Sequence, residues 1–386
     1  MKVIIYEEDW YNFYPLANLI PQPHLYLGAK TIIENNQQFL TGTTVDCLCE
    51  RDFFIQKPIP ETPTLYLSSK SVLTKEFKPP ENECRLMIGG RAIGFVKYRP
   101  PFPETLKQIS EEAGSIDDEI EVEGLILEHP WDFIRHNGSM LLLHLQRMNK
   151  KTETQPRAEI VGDIKDLYVA PSAEVHPFTT FDLTQGPIYI DEDVRIGPFT
   201  AIYGPCYIGK GSMIERARIV ASTFGPVCRI GGEIDSCIFQ GFSNKYHQGF
   251  IGHSYIGQWV NLGALTTNSD LKNNYREVRV LVGGKKFNTG MLKLGCFIGD
   301  HTKLGIGTLI PTGAVIGSFV NYFGGGMMPG YLSCFKWANQ MQVETYELEK
   351  AIETARVVMA RRGLEMDPEY EGLIRKYFRW RVSLSQ

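Results

Sequence analysis

The stretch 190-IDEDVRIGPFTAIYGPCYIGKGSMIERARIV-220 determines the architecture, because a branched apolar residue recurs in it every six residues. The repeating positions are Ile190, Ile196, Ile202, Ile208, Ile214 and Val220. An α-helix would space its apolar residues by three and four, and a half-buried strand by two, so the pattern fits neither. It predicts a triangular solenoid, in which each hexad forms one side and each coil stacks on the next.

The six-residue period continues on both sides of that stretch. Upstream, Val169 and Val175 open two less regular hexads, as expected for a capping coil. Several of the apolar residues precede a glycine, as in Ile196-Gly197, which lets the chain turn a corner. Downstream, the period recurs at Ile298, Leu304, Ile310 and Ile316. We therefore predict a parallel β-helix from about Val169 to Ile316.

Two segments depart from the period inside the predicted β-helix. The first is Gln240–Gly249, and the second runs from Asn268 to about Thr289 and is mostly polar. Segments that leave a rigid scaffold are common places for binding and catalytic residues. We therefore expect the function of the β-helix to lie at these two interruptions.

The residues before the β-helix predict a mixed α/β domain, because short strands and helices alternate there without a six-residue period. The polar run Asn149–Arg157 predicts a linker. Near the end of the chain, Val343–Arg362 has helical spacing and is followed by Gly363. We expect an α/β domain at 1–155, a β-helix at 156–330 and a helical tail at 331–386. The predicted elements of the first domain are strands at Lys2–Tyr6, Thr64–Leu67 and within Arg85–Tyr98, and helices at Thr31–Leu40 and Gly138–Met148.

The overall charge argues against nucleic acid or an anionic membrane as a partner. The chain has 40 Lys and Arg residues against 44 Asp and Glu, a net charge of −4, with no long run of one sign. No apolar run is long enough for a membrane span or a signal peptide, so we expect a cytoplasmic protein. The eight cysteines lack the paired spacing of a zinc site, so we expect reduced, buried thiols and no metal site.

The stretch 247-HQGFIGHSYIGQWVNLGALTTN-268 carries a resemblance to a known family. It resembles the acetyltransferase half of the bacterial sugar nucleotidyltransferase family related to the bifunctional enzyme that makes UDP-N-acetylglucosamine. Leu27-Gly28-Ala29-Lys30 and Pro130-Trp131-Asp132 are similar to the Rossmann-like nucleotidyltransferase domains fused to such solenoids. The resemblance implies a left-handed parallel β-helix, a homotrimer, and acetyl-CoA bound between neighbouring β-helices.

The N-terminal domain departs from that family just after its first predicted strand. Active nucleotidyltransferases have a Gly-rich loop with an Arg and a Lys there, because backbone N–H groups and cations must cradle a triphosphate. This chain has acids and aromatic residues instead, Glu7-Glu8-Asp9-Trp10-Tyr11. Nucleotidyl transfer, with Mg²⁺ as the metal that such an activity would need, is therefore the less favoured hypothesis.

His247 is the first candidate catalytic residue, because a histidine can take the proton of an amine or hydroxyl acceptor near neutral pH. The resemblance implies the same role, and it implies a substrate-orienting role for Asn261. A plain surface histidine and an asparagine that hydrogen-bonds backbone are the alternatives. We expect His253 and His301 to be structural, because both fall within ordinary hexads.

Six further residues are candidates for holding the acceptor or coenzyme A. Arg229 and Lys245 are cations that could pair with a phosphate, and Asn268 could contact the acceptor sugar. The family has a tyrosine where this chain has Phe250, which suggests a different acceptor. Lys285 and Lys286, after Gly283-Gly284, could meet the phosphates of coenzyme A; a plain charged loop is the alternative.

These residues lead to three hypotheses. The first is acyl transfer from an acyl-CoA to a sugar phosphate or a nucleotide sugar. The second is sugar-1-phosphate nucleotidyl transfer by the N-terminal domain. The third is a non-catalytic, nucleotide-sugar-binding trimeric scaffold, because the repeats account for the fold and not for chemistry.

Overall fold

The computed structural model describes residues 1–40, 44–148, 150, 152 and 156–383. In these residues an α/β domain is followed by a parallel β-solenoid and two C-terminal helices, as the sequence predicts. Most of the predicted linker Asn149–Arg157 lies outside the described residues. None of the helices in the described part of the chain has the length and apolar character needed to span a bilayer.

The first domain is built on a seven-stranded mixed sheet of order β10-β8-β9-β6-β1-β4-β5. Its core strand β1 lies parallel to both β4 and β6, and side chains such as Val3 and Ile4 are buried on opposite faces. The strands are β1 (Lys2–Tyr6), β2 (Tyr26–Leu27), β3 (Lys30–Thr31), β4 (Thr44–Arg51), β5 (Phe54–Gln56), β6 (Thr64–Ser68), β7 (Ser71–Leu73), β8 (Cys84–Ile88), β9 (Arg91–Lys97), β10 (Glu119–Glu121) and β11 (Gly124–Ile126).

Three helices complete this domain: α1 (Ile32–Phe39), α2 (Leu106–Ser115) and α3 (Pro130–Met148). Thr31 caps α1, because its hydroxyl accepts from the Glu34 N–H while the Glu34 carboxylate accepts from the Thr31 N–H. Helix α3 begins at Pro130 rather than at the predicted Gly138, since proline is favoured in the first turn of a helix.

The solenoid has three faces, named A, B and C, each a stack of short parallel strands. Face A comprises Glu174–Val175, Arg195–Ile196, Asn244–Lys245, Asn261–Leu262, Lys303–Leu304, Asn321–Tyr322 and Lys336–Ala338. Face B comprises Ala158–Val161, Thr179–Asp182, Ala201–Tyr203, Phe250–Gly252, Thr267–Asn268, Thr308–Ile310 and Gly326–Met327. Face C comprises Leu167–Val169, Ile188–Ile190, Cys206–Ile208, Thr223–Phe224, Ile238–Phe239, Tyr255–Ile256, Cys296–Ile298, Ala314–Ile316 and Tyr331–Leu332. Two longer strands cross from face A to face B: Met213–Val220 and Arg229–Asp235.

The hexad residues form the interior of the solenoid, with one wrong position. Ile190 and Ile208 are aligned in adjacent coils of face C and are fully buried, as predicted. Val220, however, is not the inward residue of its hexad. Arg216 turns the corner early with φ 46°, the strand shifts register, and Ile219 is buried instead.

The coils continue past the expected boundary at 330, through Tyr331–Leu332 and Lys336–Ala338. The chain then forms a short antiparallel strand, Val343–Thr345, where the sequence predicted the start of a helix. Helices α4 (Leu348–Ala360) and α5 (Pro368–Ser383) follow and pack on the solenoid. All eight cysteines are buried and free, as expected.

Candidate functional site

His247 lies on a corner loop between faces A and B, at residues 246–249. The side chain is exposed, and its ring packs edge-on against Tyr246 at a centroid distance of 5.7 Å. The loop therefore presents the imidazole to solvent. This is the accessibility that a proton acceptor in catalysis requires.

Lys245 points into the solenoid, in the register where the preceding coil has Ile230. Its ammonium donates to the carbonyls of His247 and Gln248, the latter at 3.1 Å. Because the group is desolvated, its pKa is lowered to about 8. Lys245 thus holds the His247 loop from inside and does not face a phosphate site, unlike the expectation from the sequence.

Asn268 also occupies an inward position, aligned with Ile310 of the next coil. Its amide oxygen accepts from the Gly252 N–H at 2.7 Å, and its amide nitrogen donates to the Gly252 carbonyl at 3.0 Å. The amide therefore joins two coils where the second interruption begins, rather than facing an acceptor sugar. Phe250 lies on the outside of face B, half-buried, and aligned with Glu233.

Arg229 and Asn261 lie on the outside of face A, in one column with Asn244 between them. The next residue of this column is Lys303. Helix α4 crosses the column and encloses a cavity of about 540 Å³. The cavity is lined by Met213, Arg229, Phe242, Asn244, Tyr246, Trp259, Val260, Asn261, Lys303, Thr354, Val358, Arg361 and Arg362. The structure thus brings two predicted site residues together, beside the neighbour of His247.

Hydrogen bonds fix the polar wall of this cavity. The Asn244 amide nitrogen donates to the Asn261 amide oxygen at 2.7 Å. One guanidinium nitrogen of Arg229 donates to the Gly211 and Cys228 carbonyls at 2.9 and 3.1 Å. The Lys303 ammonium donates to the Trp259 carbonyl at 2.6 Å. These side chains are held in place before any ligand arrives.

The cavity is strongly basic. Among the described residues, its lining includes Arg229, Lys303, Arg361 and Arg362 and no carboxylate. Burial and, secondarily, the nearby Arg362 guanidinium lower the pKa of Arg229. Burial lowers the pKa of Lys303 to about 7. The cations repel one another and lack counter-charges, so this cavity favours an anionic ligand.

A second cavity, of about 920 Å³, lies beside the second interruption. There the chain forms an antiparallel hairpin of Arg279–Val282 and Lys285–Asn288. Lys286 lines the cavity, whereas Lys285 is exposed outside it. The other charged lining residues are Lys272, Arg276, Glu277 and Arg279.

The hairpin packs on the N-terminal domain of its own chain. Val280 is fully buried in a cluster with residues of that domain, and the Phe287 ring lies 5.9 Å from the Trp131 ring. The Arg135 guanidinium, from α3, donates to the Thr289 carbonyl at 2.7 Å. The hairpin is therefore held between the solenoid and the N-terminal domain by packing and by this hydrogen bond.

The carboxyl end of β1, where a nucleotidyltransferase would cradle its triphosphate, is filled by side chains. Glu7 and Arg51 form a buried ion pair with an Nε–Oε2 distance of 2.6 Å. Lys70 is bound by Asp9 at 2.6 Å and Glu128 at 3.2 Å. Each cation at this edge thus already has an acidic partner.

No family model matches the chain. Over 164 residues it is 33% identical to a bifunctional sugar-1-phosphate nucleotidylyltransferase/acetyltransferase of Sulfurisphaera tokodaii, covering 39% of this chain and 40% of the relative. Over 201 residues it is 28% identical to the bifunctional protein GlmU of Thermotoga petrophila, covering 45% of this chain and 41% of the relative. The resemblance to GlmU-like proteins is confirmed. Both matches span less than half of the relative's length.

Two solved structures align with most of their own length. A hexapeptide transferase family protein from Anaplasma phagocytophilum aligns with 57% of this chain and 92% of its own, at 12% identity and a TM-score of 0.24. The polysialic acid O-acetyltransferase OatWY aligns with 50% of this chain and 88% of its own, at 12% identity and a TM-score of 0.20. Neither alignment bears on the function of this chain.

Sequence analysis did not identify a histidine–carboxylate pair formed by His253 and Asp270. His253 Nδ1 lies 2.8 Å from Asp270 Oδ2, and this hydrogen bond lowers the pKa of the Asp270 carboxyl. Such a pair orients an imidazole for proton transfer. The only signal was an acid just after Asn268. His301, by contrast, is buried with its Nε2 2.8 Å from the Tyr370 hydroxyl, consistent with the expected structural role.

The sequence also missed Arg361 and Arg362. Both follow α4 and line the cavity on face A, far along the chain from Arg229 and Asn261. The helical spacing of Val343–Arg362 predicted a capping tail, but it did not indicate which surface the tail covers.

Proposed function

We propose that this chain transfers an acyl group from an acyl-CoA to a sugar phosphate or a nucleotide sugar. The observation that carries the proposal is the convergence of Arg229 and Asn261 in one basic cavity, whose lining includes Tyr246, the residue before His247. Cations in a cavity without carboxylates suit a phosphate, and amides suit sugar hydroxyls. The name of the Sulfurisphaera tokodaii relative, which includes acetyltransferase, supports the same chemistry.

In this proposal His247 is the general base. Its imidazole takes the proton from the acceptor amine or hydroxyl as the acceptor attacks the thioester carbonyl. A new C–N or C–O bond forms, the C–S bond breaks, and the thiolate leaves and is protonated. Lys245 holds the backbone carbonyls of the His247 loop and so positions the base without touching the substrate. Asn261 orients the acceptor.

Acetyl-CoA, or another acyl-CoA, supplies the activated acyl group. The cavity beside the hairpin suits its phosphates, because Lys286 and three further cations face one carboxylate there. Lys285 is exposed on the same hairpin and is available to phosphates near the cavity mouth.

We further propose a cytoplasmic homotrimer. Support for assembly comes from exposed apolar side chains on face B and its corner, which a second copy would cover. They are Leu265, Ile306, Leu309 and Met327, which are 62%, 73%, 39% and 59% exposed.

Nucleotidyl transfer and a purely structural role remain the rival functions. The paired charges at the end of β1 disfavour a triphosphate and its Mg²⁺ there, although the relatives' names include this activity. Titration of the full chain with UTP and Mg²⁺ tests the first rival, and heat of binding would favour it. The second is tested by the transfer assay below.

The experiment measures thiol release from acetyl-CoA with a panel of amino-sugar phosphates and nucleotide amino-sugars. We expect His247→Ala to lower the rate by about 10²–10⁴-fold, the usual contribution of a general base. Its melting temperature and oligomeric state should be unchanged, because His247 is exposed.

His253→Ala is the matched variant, since it removes the other accessible imidazole of the same stretch. Loss of activity in His253→Ala with full activity in His247→Ala would move the base to the His253–Asp270 pair. Absence of thiol release with every acceptor would contradict acyl transfer and favour the scaffold.

A further inference from the structure

One wall of the basic cavity on face A is formed by the C-terminal segment of the chain. Helix α4 and the residues after it contribute Arg361 and Arg362, opposite Arg229 and Lys303 on the coils. These four cations come from three distant parts of the sequence. Only the fold of the C-terminal segment back onto face A brings them together.

Several other cations on the same surfaces are paired with carboxylates. On the coils, Arg218 lies 3.0 Å from Glu233 and Lys210 lies 2.8 Å from Glu192. On the C-terminal helices, Arg375 contacts Glu349 at 2.5 Å. Within the described residues, by contrast, none of the four cavity cations has a carboxylate within 4.0 Å. An unpaired cluster among paired neighbours is electrostatically unfavourable unless an anion joins it.

The cluster also contains one buried hydrogen-bond donor that has no acceptor among the described residues. The Nε of Arg362 is buried and makes no hydrogen bond with the part of the chain that the structure describes. A buried guanidinium donor without an acceptor costs free energy, and such a group in a native structure calls for an unseen partner. The carbonyl end of α4 supplies only about half a negative charge, which is small against four cations.

We propose that Arg361 and Arg362 close a phosphate-binding site over Arg229 and Lys303, so that the C-terminal segment recognises a phosphate ester or anhydride carried by a sugar. Arginine forks bind phosphate oxygens in pairs. The Asn244–Asn261 amides lie in the same cavity and are available to hydroxyl groups of the sugar. This deepens the proposed function by naming the part of the acceptor that is held, but it needs no acyl donor.

Calorimetry on the full chain tests the site, with inorganic pyrophosphate as the probe and sodium chloride of equal ionic strength as the blank. We expect binding by the unaltered protein and at least a tenfold weaker Kd in Arg361→Gln/Arg362→Gln. Arg379→Gln is the matched control, because Arg379 is an exposed arginine of α5 outside the cavity. Equal affinity in the double variant, or no binding by the unaltered protein, overturns the proposal.

A second measurement keeps the test valid if the double variant is poorly folded. Arg361→Gln alone removes an exposed side chain and should weaken pyrophosphate binding while preserving the circular dichroism spectrum. No change in the affinity of this folded variant also counts against the site.

Competition experiments identify the source of the phosphate. A hexosamine 1-phosphate and a uridine diphosphate hexosamine are titrated against bound pyrophosphate, and the tighter competitor distinguishes an ester from an anhydride. If neither competes, the proposal of a sugar-borne phosphate is overturned. Because no thioester is present, this failure is distinguishable from a failure of acyl transfer, which is read from thiol release alone.

Discussion

The end of β1 and the cavity under α4 both hold arginine side chains, but their charges are balanced in opposite ways. Arg51 is surrounded by the Glu7 carboxylate and by the carbonyls of Ala17 and Asn18. Arg362, in contrast, faces Arg229 and has a buried Nε without an acceptor among the described residues. The first arrangement is complete without a ligand, and the second is not. Whether an arginine has a carboxylate partner therefore distinguishes a structural cluster from a binding site better than its burial does.

The largest effect should come from breaking the pair at β1. Arg51→Met leaves the Glu7 carboxylate buried without a cation, so we expect the free energy of unfolding to fall by about 3–5 kcal/mol. Urea unfolding followed by circular dichroism measures it. Glu7→Leu/Arg51→Met is the control, and it should lose less than the single variant because no buried charge remains. A loss below about 1 kcal/mol in Arg51→Met would contradict a role of this pair in stability.

Asp300 extends the comparison to a buried carboxyl that forms no ion pair with the described residues. Its Oδ1 accepts from the Gln258 N–H at 2.7 Å, its Oδ2 has no partner in the described ranges, and burial raises its pKa to about 7. The folded state holds this proton between about pH 4 and pH 7, whereas the unfolded chain releases it. The free energy of unfolding therefore falls as the pH rises through this window.

Asp300→Asn removes that titration. At pH 8 we expect the variant to be more stable than the unaltered protein by on the order of 2–4 kcal/mol, and at pH 4 the advantage should vanish. Urea unfolding at pH 4, 6 and 8 measures the difference, which cancels the titration of all other groups. A constant difference across the three values would mean that Asp300 does not titrate in this range.

Asn268 and Asn261 separate an inward asparagine from an outward one. Asn268→Ala removes the acceptor of the buried Gly252 N–H and leaves the Gly252 carbonyl with the Ser254 hydroxyl, so we expect a loss of about 1–3 kcal/mol in unfolding free energy. Asn261→Ala should change stability by less than about 0.5 kcal/mol and should lower transfer activity instead. Equal stability losses in the two variants would argue against this distinction.

The smallest change in the free energy of unfolding is expected for Arg362→Gln at the cavity, and it should be opposite in sign to that of Arg51→Met, or close to zero. In buffer free of phosphate, Arg362→Gln removes a cation that has no carboxylate partner, so stability should stay within about 0.5 kcal/mol or rise. The same urea titration measures it, with Arg379→Gln as the control. A loss comparable to that of Arg51→Met would mean that Arg362 has a structural role.

The sequence predicted the parts of this molecule that depend on local repetition. The column of Ile190 and Ile208 follows from spacing alone, because each coil repeats the same local geometry. The burial of Val220 was predicted wrongly because the hexad at the Arg216 corner is one residue short. This shifts the strand register, and counting every sixth residue does not detect the shift. The inward orientation of the Lys245 and Asn268 side chains was not predicted. A polar side chain can occupy an inward position when backbone carbonyl or N–H groups form hydrogen bonds with it.

The candidate site was less predictable because it depends on distant contacts. Arg229 and Asn261 were identified individually, but their cavity exists only where α4 crosses face A. The partners Arg361 and Arg362, and the hydrogen bond of His253 to Asp270, carry no local pattern. Whether a cation is paired is decided by what folds against it, and that information is not contained in any short stretch.

The two ends of the chain meet, and this ties the cavity to the first domain. The Trp10 ring lies 5.4 Å from the Trp380 ring, and the Trp380 indole N–H donates to Asp52 at 2.8 Å. Helix α5 is in turn bound to α4 through Arg375 and Glu349. The segment after β1 thus packs against the C-terminal helices. We therefore expect a nick or truncation in the first domain to loosen the packing of α4 over face A. The two regions are some three hundred residues apart in sequence, but only helix α5 lies between them in space.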